Sequence, residues 1–403
     1  MRYVTVLLGI AYLAMLHLVT ALSYTIPLKP LIRGATNDEV RKGLGKIWSL
    51  YKRADPLETP LIDWLGGSDY QWYSTISIGT PPQNLTVLWN TGFSDLVIPR
   101  NNCTTCGTTH RTFDPTSSST FAEAEYGDVF LSFLRSENST PLASPELAHC
   151  NLVYDRVAIG GLAQSSQAIV LCDEYTPSLA SMPIDGIIGL APYGTSGTGE
   201  RPFFWNLWKT HQLNYPVFSL YLPAREESGA QITLGDVDTT KYVGPITTLS
   251  LDPRHYSEWG TWVHHFNGIH VNGQRLPRSL SGNLESQEPP FTEAAAILDT
   301  SAAFIQVPDY ATARDLYGSL SSEIKPIDTA GAAGNVYINV TLPQTAFNLG
   351  EYPGQPGICQ AVFVHNAYHD DFGPYWVLGS PLLKTYYTVW DGLKLEVGWA
   401  ELA

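Results

Sequence analysis

Two short loops concentrate the residues able to do acid–base chemistry. Asn90-Thr91-Gly92 follows the apolar run Val87-Leu88-Trp89 and precedes Leu96-Val97-Ile98-Pro99, while Asp299-Thr300-Ser301 lies between Ala296-Ile297-Leu298 and Ile305-Gln306-Val307-Pro308. An aspartate set between apolar strands is poised to give or take a proton, because burial raises the cost of its charged form. The competing reading of Asp299 is a buried structural carboxylate. Asn90 offers a carboxamide, which can hydrogen-bond a water but has no proton to exchange near neutral pH. Other chemistries find less support. His264, His265, His270, His365 and His369 raise the question of a metal site, with His365 and His369 at helical spacing; no acidic residue lies between them in the metallopeptidase pattern, and their surroundings do not read as helix. No Gly-x-Ser-x-Gly motif occurs, which disfavours a serine hydrolase. No metal and no cofactor are expected.

The elements around the two loops repeat. Each loop is an apolar strand, an Asn/Asp-Thr-small turn and a second apolar strand ending in Pro, and the copies stand 209 residues apart. Each is followed by another apolar strand running into Gly, Ile184-Asp185-Gly186-Ile187-Ile188-Gly189-Leu190 in the first half and Trp376-Val377-Leu378-Gly379 in the second. A terminal Gly permits the close backbone approach that loops crossing at a lobe centre require. The pattern reads as duplication of one fold unit. Segments between these motifs are short, strand-like and broken by turns, such as Tyr73 to Pro82 and Val217 to Pro223. Helical stretches are expected to be few and short, foremost Phe203 to His211 and Pro308 to Ser319, the latter opened by Pro308-Asp309.

Composition agrees with a β-rich chain. Aromatics make up 12% and charged residues only 15% of 403 residues, with 34 Gly and 28 Pro, and that length exceeds what one core serves. Arg2 followed by the uncharged run Val4 to Leu22 and the small residues of Ala21-Leu22-Ser23 predicts a signal peptide over 1–23. A membrane anchor competes for that segment, because the run approaches spanning length. Residues 24–53 are basic and end at Lys52-Arg53, whereas the whole chain carries −15. That contrast predicts a propeptide able to sit over an acidic body until cut at the dibasic pair. The boundaries expected are 24–53 for the propeptide, 54–238 for a first lobe and 239–403 for a second. An acidic body argues against nucleic-acid partners. Among five cysteines, Cys103 with Cys106 would close a tight loop and Cys150 with Cys172 would clamp a hairpin turning at Gly160-Gly161, leaving Cys359 unpaired. Zinc is the competing reading of Cys103-x-x-Cys106, although no second such pair exists. Asn84, Asn102, Asn138 and Asn339 head glycosylation sequons.

Six motifs then fall in a familiar order: Ile76-Ser77-Ile78-Gly79-Thr80-Pro81-Pro82-Gln83, the loop at 90–92, Phe113-Asp114-Pro115 with Ser117 to Phe121, Asp185 to Leu190, the loop at 299–301, and Trp376 to Gly379 with Tyr386 to Asp391. In this order they resemble the pepsin-like aspartic endopeptidases, and specifically a secreted, fungal-type member. The resemblance implies an all-β, bilobal fold with two pseudo-twofold-related lobes and a cleft that takes an extended peptide or protein segment. It also implies a monomer, free of the membrane once the signal is removed, delivered outside the cell or to the vacuole. In such proteins two carboxylates share a proton, one acting as base on a water and the other as acid on the carbonyl. Asp299 matches one of them, and Asn90 occupies the other position, so proton sharing is lost and activity is expected to be weak or absent. Thr91 and Thr300 match the residues that lock the loops together. Phe93 and Ala302 stand where a hydrogen-bonding Ser or Thr is usual, and Ser301 replaces a Gly, which reads as erosion of the groups supporting the carboxylate. Tyr126, followed by Gly127, matches the tyrosine of a substrate-covering hairpin; an alignment on Phe130 to Arg135 would remove it. The alternative function is a non-catalytic member whose cleft binds a protein or small ligand.

Overall fold

The computed structural model describes residues 24–27, 29–30, 71–133, 146–213, 215–223, 230–253, 260–266, 270–271, 274–275, 294–308, 313, 315–318, 362–365 and 375–403. The predicted signal segment and the Lys52-Arg53 pair lie outside these residues. Among the described residues no helix is long and apolar enough to cross a membrane.

The expected all-β architecture is present. An eight-stranded sheet in the first half runs in the order Lys29–Pro30, Trp72–Ile78, Gln83–Asn90, Gly186–Gly189, Leu96–Pro99, Leu162–Glu174, Glu146–Ile159, Ala122–Phe133. A five-stranded sheet in the second half runs Val263–Phe266, Ala294–Leu298, Tyr375–Leu378, Ile305–Val307, Phe363–His365. These five match the run from Trp72–Ile78 to Leu162–Glu174 strand for strand. In both, the first pair is antiparallel, the loop-bearing strand runs parallel to its neighbour, that neighbour runs antiparallel to the next, and the last pair is parallel. The duplication read from the two loops is thus a duplication of topology.

Residue pattern explains the strands. Trp72–Ile78 alternates buried and more exposed positions, as a sheet with one covered face demands, whereas Gly186–Gly189 and Tyr375–Leu378 are buried throughout, as strands covered on both faces are. A Cβ on Gly189 would collide with the backbone of Phe93 and Ser94, and one on Gly379 with the backbone of Ala302 and Phe304. Glycine at both positions therefore lets the loop behind each site cross the strand end, as expected. Gly160 and Gly161 take φ of 55° and 93°, which turns Glu146–Ile159 into Leu162–Glu174. The first expected helix spans Phe203–Lys209; of the second, residues 313 and 315–318 are helical.

A third sheet of six strands joins the halves, in the order Tyr24–Pro27, Gln231–Leu234, Val217–Tyr221, Tyr386–Asp391, Glu396–Leu402, Tyr242–Ser250. The halves meet where Phe218 pairs with Trp390, whose rings stack at 5.5 Å between centroids. Trp262, fully buried and edge-on to both rings, donates from its indole N–H to the Leu190 carbonyl at 3.1 Å. One edge strand, Tyr24–Pro27, comes from the predicted propeptide and pairs with Gln231–Leu234; Lys29–Pro30 then pairs with Trp72 and Tyr73. Residues 24–27 and 29–30 are thus part of the sheet framework.

Candidate active site

Strand Gln83–Asn90 delivers Asn90 at its C-terminal end, and Ala294–Leu298 delivers Asp299 one residue past its own. Between them Thr91 and Thr300 form a reciprocal lock. The Thr91 hydroxyl donates to the Leu298 carbonyl at 3.0 Å and accepts from the Thr300 N–H at 3.0 Å. In mirror fashion the Thr300 hydroxyl donates to the Trp89 carbonyl at 2.6 Å and accepts from the Thr91 N–H at 3.1 Å. Both threonines are buried, so these bonds fix the loops against each other in a dry setting.

Gly92 lies between the two candidate groups. Its N–H donates to Asn90 Oδ1 at 2.7 Å, and its backbone also hydrogen-bonds Asp299. A Cβ on Gly92 would stand 2.7 Å from Asp299 Oδ2, so only glycine leaves the carboxylate its place. Asp299 Oδ1 accepts from the Ser301 N–H at 2.8 Å and the Ser301 hydroxyl at 2.7 Å. Burial holds the Asp299 carboxyl above the ordinary aspartate range, and the bonds from Ser301 and Gly92 offset only part of that shift. Asn90 is 8% exposed, and its carboxamide carries no charge at any pH of interest.

The reading of Ser301 as erosion is corrected by this geometry. The hydroxyl expected one residue later, at Ala302, is supplied by Ser301 itself, because a side chain in the turn reaches back to Asp299 Oδ1. Gln71, not foreseen, donates to the Ser301 carbonyl at 2.6 Å and ties the first half of the chain to the turn under Asp299. Its partner is 230 residues away and no motif marks it.

A family model described as eukaryotic aspartyl protease matches residues 71–402. This chain belongs to that family. It is similar to pepsin A of Bos taurus, 29% identical over 362 residues, which is 86% of this chain and 87% of the relative. Pepsin A of Sus scrofa is 28% identical over 361 residues, covering 86% and 84%, and pepsin II-1 of Oryctolagus cuniculus is 27% identical over 341 residues, covering 83% and 82%.

Within this aspartyl protease fold the remaining expected residues are distributed as follows. Cys103 bonds Cys106, and Cys150 bonds Cys172 across the paired strands Glu146–Ile159 and Leu162–Glu174. Cys359 lies outside the described residues. Asn84 and Asn102 are exposed, while Asn138 and Asn339 lie outside the described residues. Tyr126 falls in the irregular stretch between Glu123 and Asp128, and the hairpin continues past it through Phe133, which pairs with Glu146. Tyr126 is therefore at a bulge partway along the strand, and residues 134–145, which connect the two strands, lie outside the described residues. His264 is buried with Nδ1 3.0 Å from the Ser250 carbonyl, and His265 Nδ1 is 3.1 Å from Asp252 Oδ2. No group of three metal-ligating side chains forms among the described residues. His369 lies outside them.

Proposed function

We propose that this aspartyl protease homologue is exported, sheds its basic leader, binds extended peptides in the cleft between its lobes, and cleaves them weakly or not at all. The single observation that carries the proposal is that the group delivered opposite Asp299 is the carboxamide of Asn90, held by the Gly92 N–H. Protonated Asp299 can donate to a peptide carbonyl, and ionised Asp299 can accept a proton from water, but one carboxyl cannot do both in one step. Asn90 can orient a water and cannot take its proton. A missing acid–base partner costs about 10²- to 10⁴-fold in rate, or about 3–5 kcal/mol of barrier. The intact threonine lock supports a cleft kept in shape for binding, which favours the reading in which ligand is held without being cut. Export is supported by the apolar N-terminal run, the dibasic pair and the two disulfides.

The test is to express the full chain, allow the leader to be removed, and follow cleavage of an unstructured protein between about pH 3 and 6 for the wild type and Asn90→Asp. The active-site peptide is weighed by mass spectrometry in parallel, so that deamidated Asn90 is not mistaken for wild type. Asn90→Asp is expected to cut faster by about 10²-fold or more. A wild type that cuts within a few-fold of the variant, with Asn90 intact, overturns the proposal.

A further inference from the structure

We infer that Asn90 suits the site to peptides that carry a hydroxyl in place of a peptide carbonyl, and that its preference for such a hydroxyl strengthens as pH rises instead of fading. The inference deepens the proposal that the cleft binds extended peptides and rests on it.

Each of the two candidate groups has one side satisfied by its own loop and one side open. Asn90 Oδ1 is taken by the Gly92 N–H at 2.7 Å. The Asn90 carboxamide nitrogen donates to no acceptor among the described residues, Asp299 included, and is not sealed from solvent. Asp299 Oδ1 is taken twice, by the Ser301 N–H at 2.8 Å and the Ser301 hydroxyl at 2.7 Å. Asp299 Oδ2 faces Gly92, 2.7 Å from where a Cβ would stand, and accepts from no side chain among the described residues. Gly92 therefore puts no side chain between an unused N–H donor and an unused acceptor. A hydroxyl matches both, because its oxygen accepts from the Asn90 NH₂ while its hydrogen goes to Asp299 Oδ2. A peptide carbonyl only accepts and a peptide N–H only donates, so neither engages the two groups together.

The pH dependence follows from charge. Asn90 does not ionise, so the pair carries at most one negative charge, on Asp299. Burial raises the Asp299 carboxyl and the Ser301 and Gly92 bonds lower it, with no other charged side chain acting on it among the described residues. Acids on the neighbouring elements have their own donors. Asp95 accepts from the Ser196 and Thr198 hydroxyls and the Gly197 N–H, and Asp185 from the Thr86 N–H and hydroxyl and the Arg111 N–H. Tyr73 keeps its proton, because burial and the Asp185 charge push its phenol up. In the second half His264 meets the Ser250 carbonyl and His265 meets Asp252. An O–H bonds an ionised carboxylate more strongly than a neutral one, so the hydroxyl is held better as pH rises through the Asp299 titration. With aspartate at residue 90 the donor is instead a shared proton. Once that proton is lost it must be taken up again for the hydroxyl to bind, and affinity falls by up to about tenfold per pH unit.

The test uses the full chain after leader removal, as wild type, Asn90→Asp and Asn90→Ala. The probes are two dansylated nonapeptides with no peptide bond at their centre, differing only in CH(OH)–CH₂ or CH₂–CH₂ there. Wild type is expected to bind the hydroxyl probe about 10-fold more tightly than the deoxy probe near pH 7.5, and to lose part of that preference toward about pH 4. Asn90→Asp is expected to show the opposite slope, with the preference present near pH 4 and reduced about 10-fold or more by about pH 7.5. Asn90→Ala deletes the donor and is expected to show no preference at either pH; it also serves as the comparison if Asn90→Asp does not fold. A wild type that binds both probes alike, or whose preference falls as pH rises, overturns this inference and leaves the peptide-cleft proposal standing. So does an Asn90→Ala variant that keeps the preference. A wild type that binds neither probe overturns both.

Discussion

Replacing Thr91 by Val keeps the side-chain shape and deletes one hydroxyl from the lock beneath the site. Two bonds vanish together, the 3.0 Å donation to the Leu298 carbonyl and the 3.0 Å acceptance from the Thr300 N–H, in a place that water does not reach. Each buried group left short of a partner costs about 1–3 kcal/mol, so the variant should lose about 2–6 kcal/mol. Thr91→Ser restores the hydroxyl and gives up one methyl, which costs about 1 kcal/mol. Urea unfolding at neutral pH, read by tryptophan fluorescence, measures both; a shift in midpoint at constant slope reports stability itself. The reasoning fails if Thr91→Val stays within about 0.5 kcal/mol of wild type, or if Thr91→Ser is destabilised as much as Thr91→Val.

Other outcomes follow from the same geometry. Asp299 has a folded pKa raised by burial, so the stability it allows is fully present below its unfolded pKa and is lost as pH rises through the folded one; Asp299→Asn should remove that loss and be more stable than wild type near pH 7 in urea titrations. His264 is held by burial at about 4 against an ordinary 6.5, so the unfolded chain takes up its proton first and stability falls between pH 6.5 and 4. That fall amounts to about 3 kcal/mol, and a urea midpoint series across this range should be flatter for His264→Asn. Gly92→Ala puts a Cβ 2.7 Å from Asp299 Oδ2 and should displace the carboxyl; in the Asn90→Asp background it should reduce cleavage at least about tenfold, measured as kcat/KM on one peptide.

The repeated architecture was legible because its cause is local. An apolar strand, a turn with Thr at its centre and a second apolar strand carry their own signature, and so do the glycines at 160, 161, 189 and 379, where a side chain has no room or the backbone turns left-handed. The Cys150–Cys172 clamp was legible for the same reason, since its two strands adjoin in sequence. What escaped depends on chain segments that meet only in space. Nothing near Ser196 or Thr198 announces Asp95, about a hundred residues earlier, and nothing in Tyr24–Pro27 announces Gln231–Leu234 as its partner. Ser301 was misjudged because a position-by-position comparison expects a hydroxyl at residue 302 and overlooks one that reaches the same oxygen from residue 301.

The most direct measurement is the titration of the Asp299 carboxyl, followed by ¹³C NMR of protein labelled at aspartate Cγ and assigned with Asp299→Asn. With a carboxamide at residue 90, Asp299 should titrate in one step, displaced above the ordinary aspartate range. In Asn90→Asp the two carboxyls should titrate in two coupled steps, one below and one above that single midpoint. Two coupled steps at the site in the wild type, or a single unshifted step in Asn90→Asp, would contradict the account.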